Sequence, residues 1–231
     1  MNRKRSVLWG FVVAVWGLTA KAEQPDWPEV DFPKKVNVYV VAANIKYNGV
    51  PMKIWEFRTG KKVEQILSFY KQAWTEEQDA KSGKPDYVEY DVGPWKVVSK
   101  LEDGFQTTVQ IMKANQTSAV VVVGISKLLE EDEITDKPAI YVPEGSEIIS
   151  VLEAVDNGSP STTLVARNKL SKKANFERYL DHFGSNGWSR IAGDERGQAN
   201  SALIMKKSKS ELSLTFSRSE GNTEIVGVMT H

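Results

Sequence analysis

The chain has 231 residues, no cysteine, 41 % apolar residues, and 30 basic residues against 30 acidic ones. Without thiols it has neither a disulfide framework nor a thiolate nucleophile, and two histidines alone do not make a zinc ligand set. Balanced charge with no basic block argues against a surface that tracks nucleic-acid phosphates.

In chain order, residues 1–22 carry the three parts of a cleaved signal peptide. Asn2-Arg3-Lys4-Arg5 is a basic start, residues 7–18 form an apolar run, and Ala20-Lys21-Ala22 is a small-x-small cleavage site. That run is shorter than the roughly 20 apolar residues of a permanent anchor, so no stable membrane insertion is expected after cleavage. The expected address is periplasmic or secreted. Removal of residues 1–22 takes away Arg3, Lys4, Arg5 and Lys21, leaving 26 basic against 30 acidic residues. Residues 23–35 contain Pro25, Pro28 and Pro33 and read as an extended tether.

Residues 36–127 read as a first module. It opens with a β-branched run at 36–41, and Asn48-Gly49 signals a hairpin returning at 52–57. Thr59 is the expected cap of a helix whose Val63, Ile66, Leu67, Tyr70 and Trp74 share one face. Four strands follow, at 87–92, 96–100, 105–113 and 118–126. Residues 128–143, with Glu130-Glu131-Asp132-Glu133 and Pro138, read as an acidic linker. The second module, 144–231, repeats this grammar. Strands at 147–155 and 162–167 flank Asn157-Gly158, Ser171 caps a helix carrying Phe176, Tyr179, Leu180 and Phe183, and four further strands complete it.

One literal echo accompanies the repeat: Trp95, Gly104 and Ile111-Met112-Lys113 recur 93 residues later as Trp188, Gly197 and Ile204-Met205-Lys206. Duplicated tryptophans of this kind are expected to fill equivalent cores. The predicted fold class is thus α+β: two tandem modules, each an antiparallel sheet (hairpin, helix, meander) with one helix packed on a face. This module order resembles the tandem helix-grip modules of a barrel-assembly accessory lipoprotein of the bacterial outer membrane. The chain lacks the lipobox cysteine of that protein, and the resemblance carries over no functional residue.

The chemistry-bearing residues are sparse. A Ser-His-acid hydrolase needs a base near its nucleophile, but His231 ends the chain and His182 sits beside the apolar stripe of the second helix. Residues 130–136 are rich in oxygen ligands but lack the spacing of a calcium loop. No catalytic residue, metal or cofactor is expected. The more informative signal is an asymmetry between the modules. Leu212, Leu214 and Phe216 alternate with Ser213, Thr215 and Ser217, as in a sheet with one wet face, whereas residues 119–123 and 38–41 are apolar throughout. One helix covers one face only. The other face of the first module is therefore expected to bind a partner, through Tyr39, Val41, Val121 and Val123. The expected function is that of an exported, non-catalytic interaction or assembly module. Its partner would be an envelope or extracellular protein, or a second copy in a homodimer. The alternatives are a binder of a lipid or other small apolar ligand between helix and sheet, and a hydrolase without His or Cys.

Overall fold

The computed structural model describes residues 26–76, 87–130, 138–156, 158–195 and 200–231. The elements are β1 (Val38–Tyr47), β2 (Val50–Thr59), α1 (Val63–Glu76), β3 (Tyr87–Val92), β4 (Trp95–Glu102), β5 (Phe105–Lys113) and β6 (Ala119–Lys127). They continue as β7 (Glu147–Asp156), β8 (Ser159–Asn168), α2 (Lys172–Ser185), β9 (Ser189–Asp194), β10 (Asn200–Lys207), β11 (Ser210–Ser219) and β12 (Asn222–Thr230). Local chemistry explains the punctuation. Asn48 and Gly49 both take positive φ, 49° and 79°, the backbone of a primed turn. Ser171 caps α2 by accepting from the Ala174 amide at 3.0 Å. Thr59 does not cap α1: it ends β2 and accepts from the Lys61 amide, and the Gln65 side chain instead accepts from the Lys62 amide at 2.9 Å.

Among the described residues all twelve strands belong to one antiparallel sheet, in the order β3-β4-β5-β6-β2-β1-β7-β8-β12-β11-β10-β9. This overturns the expected pair of tandem modules, each with its own helix-covered sheet, and with it the resemblance built on module order. The seam is β1 against β7. Ile45, Lys46 and Tyr47 pair with Ala154, Glu153 and Leu152, while the Asn48 amide donates to the Val151 carbonyl and the Asn48 side chain accepts from the Val151 amide, each at 2.8 Å. A strand edge carries amide and carbonyl groups that gain partners by such pairing. Apolar periodicity records which face a residue occupies and is silent about which edges meet.

From the seam outward the halves share one strand order, and paired residues define equivalent positions. Phe57 faces Val121 as Ala166 faces Ile225, which sets offsets of 109 residues for β2 and β8 and 104 for β6 and β12. The 93-residue echo does not follow this frame. Ile111 lies on β5 and is fully buried, whereas Ile204 lies on β10, the counterpart of β4, and there Met205 takes the core position. The expectation of two equivalent tryptophans is corrected in the same way. Trp95 faces Met112 at the start of β4, and its equivalent is Asn200; Trp188 precedes β9 and meets Phe183 edge-on at 5.4 Å. Gly197 lies outside the described residues.

Each half has its own core. Phe57, Ile66, Leu67, Tyr70 and Trp74 pack with Val98, Val109 and Ile111 in the first; Phe176, Tyr179 and Phe183 pack with Leu203, Met205, Leu212 and Phe216 in the second. Burying one such side chain contributes about 1.5–3 kcal/mol. Register across the seam, where Lys46 meets Glu153, places α1 and α2 on the same side of the sheet.

The segments ahead of β1 and β7 are structural parts of this side. Phe32 lies 6.0 Å from Trp55 and 6.1 Å from Phe57, ring to ring, and Trp27 lies 5.5 Å from Phe105, so the end of the expected tether is packed down. Ile140, within the expected linker, is fully buried in the second core. It sits against Gly227, where an added Cβ would come within 3.0 Å of Leu214 and 3.4 Å of Ile140; the equivalent of Gly227 in the first half is Val123. A missing side chain on β12 makes room for the segment that crosses it. Acidic residues 131–133, together with 134–137, lie outside the described residues.

Candidate functional site

Among the described residues no helix covers the other side of the sheet, here called the open side, and registers fix who lies on it because directly paired residues share a face. In the first half one row across the strands is Val92, Trp95, Met112, Val120 and Arg58. The next is Tyr90, Val97, Gln110, Val122, Glu56 and Tyr39, of which Val97 is buried between its neighbours. Val88 and Ile54 flank them in a third row, with Ser99 bonded to Thr108 at 2.8 Å between them. Val88, Tyr90 and Val92 are 61, 45 and 54 % exposed. Arg58 pairs with Glu56 at 3.5 Å, so the inner margin of the patch is electrically neutral.

The equivalent rows of the second half are more polar at their outer end. Trp95, Met112 and Val120 correspond to Asn200, Ser217 and Glu224, and Tyr90, Val97 and Gln110 to Asp194, Ala202 and Thr215, whereas Val122 and Glu56 correspond to Val226 and Val165. The asymmetry expected from the alternating Leu212–Phe216 run is therefore present on the open side, although the residues that carry it differ from those expected. Tyr39 belongs to this face, and Val41 lies in the β1 bulge between Val40 and Ala42; both are exposed. Val121 and Val123 lie on the helix side with Phe57, Val109 and Ile111, are fully buried, and offer no surface. Their neighbours Val120 and Val122 take the outward positions, because one residue along a strand reverses the face. The run of valines from 120 to 123 has no polar residue to mark its phase. The β3 residues Val88, Tyr90 and Val92 are the part of the surface that sequence reasoning missed, although their alternation with Glu89 and Asp91 is the signal that finds them.

The histidines are apart. His182 stacks on Tyr141 with ring centroids 3.8 Å apart and planes 8° from parallel, on the exposed side of α2. His231 Nδ1 lies 3.3 Å from the Ser210 hydroxyl on the exposed rim, and among the described residues no carboxylate bonds that ring. The described residues contain no group of three or more His, Cys, Asp or Glu side chains placed to hold a metal ion. Comparison with protein-family models, with curated proteins and with solved structures gives no match to this chain.

Proposed function

We propose that the chain is an exported, non-catalytic interaction module whose contact surface is the open sheet face of its first half. The observation that carries this reading is the contiguity of Val92, Trp95, Met112 and Val120 beside Tyr90 and Val122, where the same frame in the second half holds Asn200, Ser217 and Glu224 for Trp95, Met112 and Val120, and Asp194 for Tyr90. Soluble monomers rarely expose contiguous apolar patches beyond a few hundred Å². A patch bearing aromatic side chains beside an ion-paired margin has the make-up of a protein contact. Export rests on the signal-peptide pattern of residues 1–22, and the occupant is an envelope or extracellular protein, or a second copy of the chain.

Val88 and Tyr90 are exposed on the outermost strand, so lysine there leaves both cores untouched. Sedimentation of the purified chain, and photocrosslinking from position 90 in producing cells, are the tests. Val88→Lys and Tyr90→Lys should abolish self-association or the crosslinked partner without lowering Tm. A chain that is monomeric, and whose crosslinks do not depend on these residues, overturns the reading.

A further inference from the structure

The seam between the halves is a join of like with like. Ile45 faces Met52 as Ala154 faces Ser161, so across the seam Ile45 pairs with its own counterpart, Ala154. Equivalent strands meet antiparallel with both helices on one side, which is the arrangement of a local two-fold axis normal to the sheet. The outer edges, β3 and β9, are counterparts in the same frame, and among the described residues no strand lies beyond either.

The two edges are finished differently. On β9 the register shifts opposite Ile204 and Met205, leaving Ile191 as an extra residue, and the Arg190 guanidinium folds back to donate to the Gly193 carbonyl at 2.9 Å. Bulges and backbone groups already occupied keep an edge from pairing with another chain. The β3 edge has no such bulge. It pairs with β4 from Tyr87 to Val92 without a register shift and contains neither proline nor glycine. The two-residue turn at Gly93-Pro94, with Gly93 at φ 57°, closes on Val92 and Trp95. The closing pair of such a hairpin is hydrogen-bonded, and bonded pairs alternate along the ladder. Val92, Tyr90 and Val88 therefore direct their backbone groups to β4, and those of Asp91, Glu89 and Tyr87 point off the sheet.

From these observations we infer that two copies of the chain join edge to edge through β3, antiparallel, about a two-fold axis at Tyr90. In this register Glu89 and Asp91 exchange backbone hydrogen bonds with Asp91 and Glu89 of the second copy, Tyr90 lies opposite Tyr90, and Val88 lies opposite Val92. The occupant is a second copy because the edge matches itself: each exposed apolar residue of β3 meets another, and aromatic and β-branched cross-strand pairs are stabilising. On the helix side Glu89 meets Asp91, and each carboxylate brings its own cation, Lys71 for Glu89 and Lys96, at 2.7 Å, for Asp91. A two-fold contact closes at two copies, and the bulged β9 edges end the joined sheet on both sides. The contact is made by backbone groups at the rim, so it does not depend on the face proposed above, and it sets the two apolar patches side by side.

Sedimentation equilibrium of the purified chain should give a dimer. Glu89→Pro removes an outward N–H and leaves the β4 ladder and the open face as they are; it should weaken the dimer about tenfold or more with Tm kept. Glu89→Ala, which loses the ion pair and keeps the N–H, should stay dimeric. Because the chain has no cysteine, disulfide formation reads the register, and it decides alone should Glu89→Pro fail to fold. Non-hydrogen-bonded partners lie about 4.5 Å apart between Cα atoms, within disulfide reach. A mixture of Val88→Cys and Val92→Cys chains should crosslink, and either variant alone should not. A monomeric chain, a dimer that tolerates Glu89→Pro, or a mixture that does not crosslink overturns the inference. A dimer that survives Glu89→Pro and is lost in Met112→Lys is held by the open face: the edge pairing is then wrong and the proposed contact surface stands.

Discussion

The two halves share a strand order and a helix position, yet at several equivalent positions they differ in polarity. In the second half the helix side holds Ile140, Met205 and Leu212, and the open side carries Asn200, Ser217, Glu224 and Asp194 beside Val226 and Val228. In the first half the helix side contains a cavity of about 190 Å³ lined in part by Asp31, Lys100 and Thr107, and the open side carries Val92, Tyr90, Trp95 and Met112 beside Gln110, Glu56 and Arg58. The second half is the more polar of the two at the outer end of its open side. A shared frame makes each difference visible, because the other half shows what the equivalent position holds.

The largest test of this contrast is Ile140→Ala. If the segment before β7 is a true part of the second core, the loss should be about 2–5 kcal/mol by denaturant unfolding. Val30→Ala, at a partly buried residue of the segment ahead of β1, should cost distinctly less. Similar losses in both would remove the distinction between the two cores.

A second contrast concerns the start of α2. Asn168 and Asn175 are buried and exchange side-chain hydrogen bonds at 2.8 and 2.9 Å, where the first half has Thr59 and Ile66. Asn175→Ile should therefore cost roughly 1–3 kcal/mol, because it leaves Asn168 short of a partner inside the protein. An unchanged Tm would mean that the polar clamp is dispensable.

Alkaline pH should act on both halves alike. Burial raises the Tyr70 and Tyr179 phenols, helped by Asp31 in the first case and by Tyr141 in the second. Above about pH 10 the unfolded phenols ionise while the folded ones keep their protons. The unfolded state then binds fewer protons than the native state, so stability falls with rising pH, by about 1.4 kcal/mol per pH unit for each tyrosine. Tyr70→Phe and Tyr179→Phe should each remove one share of that slope. Urea unfolding at pH 9 and 11 measures it, and a slope unchanged in both variants would refute the assignment.

The smallest effect is expected at the seam. Asn48→Ala removes the acceptor of the Val151 amide and should cost about 0.5–1.5 kcal/mol. Hydrogen exchange at Val151 should rise; continued protection there would place the join elsewhere.

Much of the local structure was legible in the residues. The strands at 87–92 and 105–113 match β3 and β5 end for end, the face shared by Val63, Ile66, Tyr70 and Trp74 forms α1, and Ser171 caps α2. These signals are local, since a turn, a cap or a helical stripe is decided within a few residues of itself. The candidate face was legible only in outline. The apolar excess of the first half marked the correct sheet, but Val121 and Val123 were assigned to the surface and Val120 and Val122 are the ones that point outward, because four successive valines carry no phase. Glu89 and Asp91 supply that phase on β3.

By itself the sequence determined the elements, their order and the unequal polarity of the two halves, because backbone preference and apolar period act over short stretches of chain. Only the tertiary structure decided that β1 and β7 merge two sheets into one, that Ile140 belongs to a core, that Asn200 rather than Trp188 is the counterpart of Trp95, and that Asp31, Tyr70 and Lys100 surround one cavity. Each of these joins residues far apart in the chain. Strand edges carry no side-chain signature, and a cavity exists only in the fit between surfaces that several elements bring together.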